Sequence, residues 1–406
     1  MENPVVIVGG GVSGLACALA LHRKQIPFLV LEASCRWGGR VGSERVEGFV
    51  LDRGFQIYLD SYATGKALLD LDALELKPFQ SGALIRADQR FQIFADPSRH
   101  PQFLLDTLTG PLPLPDLLRL AKVNRFAQRL NPDAAFETAD RSTLEMLKSY
   151  KFSEVALKRF WRPFLGGIFL EDALETSARM FWFVFQHFAQ GRACLPAAGM
   201  QAIPDQMVQQ LPAGSLRSGC EVREIQPGEV LLSDGSRIAA RAVVNASGPW
   251  SPLRPNPQPA CGTRCFYFQA DTPPWKVPWL VINGEGGMID TLTFPTLLHP
   301  GYAPEGKHLL SVSSLNPAAS ENGIRRELVR FFGKKAEMWP MLRQFDLPRA
   351  LPRQSPGHLT QAKRWGKDAQ GIYQIGDHLA TASIEGALRS GVGVAEEIAA
   401  GPLSAC

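Results

Sequence analysis

The chain has no run of 18 consecutive apolar residues; even the richest stretch, FWFVFQHFAQ at 181–190, is broken by Gln186 and His187, so no transmembrane helix is expected. Its 7 cysteines, at 17, 35, 194, 220, 261, 265 and 406, include no Cys-x-x-Cys and no zinc-type Cys/His spacing. A disulfide framework and a metal centre are therefore not expected, and reduced thiols suit a cytoplasmic setting. Charge of one sign is also lacking: Lys+Arg 43 against Asp+Glu 39 leaves +4, too little to imply a nucleic-acid partner. The amino-terminal MENPVVIVGGGVSG has no cationic segment and its apolar run stops at the glycines, so no secretory leader is expected. There are no internal repeats. At 406 residues and 45% hydrophobic, the chain can bury a large core and has the length of two to three domains.

The first forty residues are the most informative. Val5-Val6-Ile7-Val8 reads as a strand, Gly9-Gly10-Gly11-Val12-Ser13-Gly14 as a turn, and Leu15 to Lys24 as a helix. In a dinucleotide site Gly9 makes the tight turn, Gly11 lets backbone approach a pyrophosphate, and Gly14 lets the helix pack on the strand, so the helix N-terminus faces phosphate. A second strand, Phe28 to Leu31, ends in Glu32, near the offset of roughly 20 residues at which a carboxylate accepts from ribose hydroxyls. The fingerprint serves NAD and FAD alike. After Glu32 come Ala33-Ser34-Cys35-Arg36-Trp37-Gly38-Gly39-Arg40, where Arg36 and Arg40 can place guanidinium forks on a pyrophosphate from the side opposite the helix.

The string LEAxxRxGGR after a strand-GxGxxG-helix unit resembles the FAD site of the flavin amine oxidase superfamily, which includes monoamine oxidases, protoporphyrinogen oxidases and plant-type carotenoid desaturases. The resemblance implies non-covalent FAD and extends to distant segments. Leu51-Asp52-Arg53-Gly54-Phe55-Gln56 matches a turn passing beside the flavin. Val222 and Ala246, in Cys220–Ile225 and Ala242–Pro249, match strands that bracket the adenine and skirt the cofactor. Gly376-Asp377 follows a predicted strand, and a helix opened by Ser383 continues Ile384-Glu385-Gly386-Ala387; its N-terminus would lie beneath the flavin, and Asp377 would accept from ribityl or phosphate-side hydroxyls. Trp161–Phe169 and Leu195–Met200 are similar to further family elements, with Ala198 where the family has glycine.

Cofactor motifs so far apart must converge, which predicts an α/β architecture: a Rossmann-type, GR2-like FAD-binding domain from residues 1–80, 195–255 and 350–406, and a discontinuous α+β substrate domain from 81–194 and 256–349. Pro115 to Leu130 reads as a basic amphipathic helix with Leu118, Ala121, Phe126 and Leu130 near one face, either a solvated helix or one lying on an anionic bilayer. Cys265–Gln269, Leu280–Asn283 and Met288–Thr293 read as strands flooring a substrate cavity, with a hairpin turn at Asn283–Gly287 rather than a second nucleotide site.

A flavin carries its own chemistry, so catalytic side chains are not readable here. Ser383 stands where the amine oxidases carry Tyr, and Arg264 where their lysine is sought. The Ala-Ser-Ile-Glu-Gly-Ala string is instead similar to plant-type desaturases, which implies an apolar, isoprenoid- or lipid-like donor, with O2 or a quinone as acceptor and peripheral membrane contact open. Amine or protoporphyrinogen oxidation, redox-neutral isomerisation on reduced flavin, and a non-catalytic flavin scaffold are the alternatives. His378 reads as a base or a satisfied loop histidine, His187 as a packed one, and Arg353 and Arg389 as anchors for a substrate anion or a structural carboxylate.

Overall fold

Val5–Val8 is wholly buried and forms the middle of a six-stranded sheet, between Phe28–Leu31 and Ala242–Asn245. The three run parallel, with Val8 opposite both Leu31 and Asn245. Leu216–Arg217 extends one side; Tyr373–Gln374 and an antiparallel edge, Gly366–Lys367, extend the other. Apolar residues at every position are what a parallel sheet covered on both faces requires. Val5 and Ile7 pack toward the helices Val12–Arg23 and Ile384–Ala400, while Val6 and Val8 pack against the three-stranded meander Val222–Gln226, Glu229–Leu232 and Arg237–Ala239. The first and last helices touch closely: a Cβ on Gly391 would meet the Ser13 carbonyl oxygen at 2.2 Å. The computed structural model describes residues 3–401 apart from 98, 132, 255, 256, 361 and 362.

A seven-stranded sheet gathers two separate stretches of chain, in the order Met341–Pro352, Ala260–Ala270, His308–Ser314, Thr291–Thr293, Val281–Asn283, Gly82–Ala87 and Arg90–Ala95. Val281–Asn283 pairs antiparallel with Thr291–Thr293, so the glycine-rich segment between them is a hairpin connection, as expected. The helix Arg162–Phe169 packs on the Val281–Asn283 and Thr291–Thr293 strands of this sheet, and Leu114–Arg129 packs on Ala178–Gln190. Arg162–Phe169 and Ala178–Gln190 share an aromatic core, with Phe164 5.7 Å from Phe188 and Trp161, just before the first of them, 5.6 Å from Phe181.

The helix expected over 115–130 forms, but rotated from the expected face. Its inward stripe is Asp116, Val123 and Ala127, and Leu118 and Phe126 are exposed. Asp116 can be buried because the Ser153 N–H (3.0 Å), the Ser153 hydroxyl (2.5 Å) and Arg119 (2.8 Å) all donate to its carboxylate. Six described cysteines are unpaired; Cys406 lies outside the described residues. Among the described residues no helix is long and apolar enough to cross a membrane.

Candidate active site

One cavity of about 1300 Å³ runs from the carboxyl ends of the parallel strands to the helical side of the seven-stranded sheet. Gly9, Gly11, Val12, Ser13, Glu32, Ala33, Gly39, Arg40, Gly54, Phe55, Gln56, Val222, Ala246, Gly376, Asp377, Ser383, Ile384 and Ala387 all line it. Residues from six distant segments therefore share one wall. Gly14 does not reach the cavity; a Cβ there would meet the Gly9 carbonyl oxygen at 2.0 Å, so its role is to seat the helix on the turn.

Arg36 departs from the expected fork on the pyrophosphate. Its guanidinium turns away from the cavity and donates to the carbonyls of Trp37, Gly39 and Val41 and to Gln201 Oε1. The loop doubles back through Gly38 (φ 110°) and Gly39 (φ 62°), and the carbonyls this leaves unpaired need a donor. Arg40 alone faces the cavity, where it bonds Asp377 at 2.5 Å and the Ala350 carbonyl at 3.0 Å and lies 5.5 Å from the Trp250 ring centre.

Glu32 is held where the second strand leaves the sheet. One carboxylate oxygen accepts from the Gly10 N–H at 2.7 Å, and the other from the Ser34 N–H at 2.9 Å and hydroxyl at 2.8 Å. The first helix has no side-chain cap and no acidic residue in its first turn, so its leading N–H groups meet the cavity bare. Gln56 donates to the carbonyls of Arg40 and Arg53 while its buried Oε1 has no partner. An uncapped helix end, a carboxylate, a facing arginine and an unsatisfied amide oxygen form a donor and acceptor set that fits a dinucleotide. The second helix N-terminus is capped by Ser383, whose hydroxyl accepts from the Gly386 N–H at 2.9 Å. Glu385 points elsewhere: buried, it accepts from Thr64 N–H and hydroxyl and from Gly65 N–H.

Beyond the nucleotide end the walls become aromatic, with Phe55, Phe79, Phe94, Phe160, Phe164, Phe185 and Phe188. Thr263 and Thr291 are among the polar side chains there. Strand alternation turns Arg264 to the other face, onto Asp346 at 3.0 Å, so Thr263 is the residue of that strand that meets the cavity. Asp96, Arg99, Arg125 and Arg192 also line the cavity. Asp96 accepts from Asn124 at 3.3 Å, Arg192 pairs with Asp60 at 2.9 Å, and Arg125 is exposed.

Other expected candidates fall outside. His378 is buried off the cavity, its two ring nitrogens unbonded, and burial beside Arg254 pushes it down to about 3. His187 contacts the Ser61 hydroxyl at 2.9 Å and packs on Tyr62 and Phe183; burial pushes it down to about 4. Arg353 pairs with Glu175 and Arg389 with Asp133. The Leu195–Met200 turn does not line the cavity; Met200 N–H donates at 2.9 Å to buried Asp52, whose carboxyl desolvation pushes up to about 6. Sequence reasoning missed Arg254, which donates to the carbonyls of Asn245, Gly248 and Ile375 and to Gln374 Oε1, tying two strand ends beneath the cavity. Nothing in the pattern around Arg254 marks it, because three of its partners are backbone carbonyls and two of the four lie on the distant Gln374-Ile375.

The model of the flavin-containing amine oxidoreductase family matches residues 12–399. Among solved structures, a redesigned putrescine oxidase superposes with a TM-score of 0.72 at 20% identity, covering 98% of this chain and 99% of that one. Cyclohexylamine oxidase from Brevibacterium oxydans gives 0.73 at 18% identity, over 98% and 99%. In sequence, coproporphyrinogen III oxidase of Bacillus subtilis is 25% identical over 188 residues, 43% of this chain and 38% of that enzyme. The chain thus spans under half the length of that curated relative.

Proposed function

The chain belongs to the flavin-containing amine oxidoreductase family and is an FAD-dependent oxidoreductase; from that premise we propose that its donor is an apolar, isoprenoid- or lipid-like molecule that it dehydrogenates. The observation that carries this reading is the cavity's lining. Seven phenylalanines wall the substrate side, and among the described residues the charges there are Arg99, Arg125 and Arg192, the last paired with Asp60, against the hydrogen-bonded carboxylate Asp96. A positive rim disfavours an ammonium substrate. A dry aromatic channel suits a hydrocarbon segment, whose recognition needs shape and little polarity.

When bound, FAD would accept a hydride from the donor carbon and pass the electrons to O2 or a quinone. The chain's own part is to hold and to exclude. Glu32 would accept from the ribose, the bare helix N-terminus and Arg40 would face the pyrophosphate, and the Ser383-capped helix would direct its positive end at the ring. The phenylalanines would keep water from the donor, and Thr263 would supply a polar contact in the same cavity.

A porphyrinogen is the second reading, favoured by the likeness to coproporphyrinogen III oxidase and by the same arginines, which suit a carboxylated macrocycle. Anaerobic mixing with isoprenoid donors, porphyrinogens and simple amines tests both. Bleaching of the flavin by isoprenoid donors is expected. Bleaching by porphyrinogen alone selects the second reading; fast bleaching by an amine alone overturns both, and product without bleaching indicates isomerisation.

A further inference from the structure

We propose that the mouth of the cavity is a docking surface for an anionic lipid bilayer, formed by the short helix Leu104–Leu108 and the outward stripe of Leu114–Arg129. The surface follows from how each helix is held. Thr107 is buried and its hydroxyl is bonded to both the N–H and the carbonyl of Ala95, at 3.2 and 3.1 Å, which turns Leu104, Leu105 and Leu108 outward. Asp116, clamped by Ser153, does the same for the next helix and turns out Leu114 and Leu118. The outcome is five exposed leucines, with Leu105 at 73% and Leu118 at 67% exposure. Isolated surface leucines are ordinary; five on two consecutive helices at one opening are not.

Charge identifies the occupant. The outward stripe that begins Leu114, Leu118 continues Lys122, Arg125 and Arg129 at helical spacing, and all three cations are exposed. Asp106 is the single acid on the short helix, and Asp116 is buried in its own bonds. Leucines leading and cations following match the depth profile of a bilayer surface: acyl chains first, anionic headgroups behind. A second copy of the chain would leave the cations facing one another. Leu108, Leu114 and Leu118 also line the cavity, so the docked face opens the aromatic channel directly onto lipid. Docking extends the reading above by naming where an apolar donor enters, yet it depends only on this face and is measurable without turnover.

The test uses flavin-loaded protein sedimented with vesicles of phosphatidylcholine alone or mixed equally with phosphatidylglycerol. Retention on the mixed vesicles is expected, with little on the neutral ones. Leu105→Asp with Leu118→Asp should lower retention at least about tenfold, and Lys122→Glu with Arg129→Glu should abolish the preference for anionic lipid. Flavin absorbance and melting temperature report folding, and Leu105→Ser with Leu118→Gln replaces the aspartate pair if it fails to fold. Wild-type protein left in the supernatant at both compositions overturns the proposal, as does retention unchanged in both double variants. A dimer that dissociates on the leucine changes, without vesicle retention, assigns the face to a second copy and also overturns it. Flavin bleaching by a detergent-dispersed donor would still stand in either case, so the donor reading fails or survives separately.

Discussion

Arg40 and Asp377, 337 positions apart in sequence, meet at 2.5 Å on the wall of the cavity. Asp377 is nearly fully buried and Arg40 partly exposed, so the pair presents one guanidinium edge to the nucleotide end and anchors it from behind. Arg40→Gln and Asp377→Asn should each weaken FAD binding, and the double variant should lose less than the sum. A coupling of about 0.5–3 kcal/mol in a double-mutant cycle, read by FAD titration, is expected. Strict additivity would show that the two act separately.

Glu32→Gln keeps the shape of the side chain and removes its charge. FAD affinity should fall by about 1.5–3 kcal/mol while the fold is kept, since the amide oxygen still accepts from one of its two partners, Gly10 or Ser34, and only the other meets the new NH2 group. Equilibrium dialysis at limiting FAD is the measurement. Unchanged occupancy would remove Glu32 from the ribose contact.

His378 and Asp52 should bend stability with pH in opposite senses. His378 titrates at about 3 when folded against 6.5 in the unfolded chain, so its share of stability is present above 6.5 and lost as pH falls toward 3. Relative to His378→Gln, the wild type should lose about 2 kcal/mol between about pH 7.5 and about pH 5. Asp52, raised to about 6 from 3.8, is the reverse: its stabilisation is present below 3.8 and lost as pH rises through 6. Urea unfolding of wild type, His378→Gln and Asp52→Asn at both pH values checks the signs, and shifts of the variants parallel with wild type would refute them.

Gly167 lines the channel, and a Cβ there would touch the Thr291 methyl at 3.3 Å. Gly167→Leu should fill the passage and slow flavin reduction by a long apolar donor at least about tenfold while flavin content is unchanged. Stopped-flow absorbance reads the effect. Equal rates would mean that the donor takes another path.

Much of the nucleotide end was legible because its physics is local. Val5–Val8 and Phe28–Leu31 are strands at the expected residues, since a fully buried parallel strand must be an unbroken apolar run, and the last helix begins after Ser383, whose hydroxyl caps it. What escaped depends on remote partners. The direction of Arg36 is set by carbonyls that a doubled-back loop leaves unpaired, and the rotation of Leu114–Arg129 by Ser153, 37 positions from Asp116. Whether Thr263 or Arg264 faces the cavity depends on which side of a seven-stranded sheet the helices cover, and no pattern within that strand records it.

The near contact of Gly391 with the Ser13 carbonyl carries a consequence for biosynthesis. The helix that offers its N–H groups to phosphate is braced by Ile384–Ala400, which a ribosome delivers long after it. Until then the amino-terminal glycine turn lacks its support, along with Asp377 and the Ser383-capped helix. Flavin capture thus waits for Ile384–Ala400 to be made, and nascent chains stalled before residue 384 should emerge colourless.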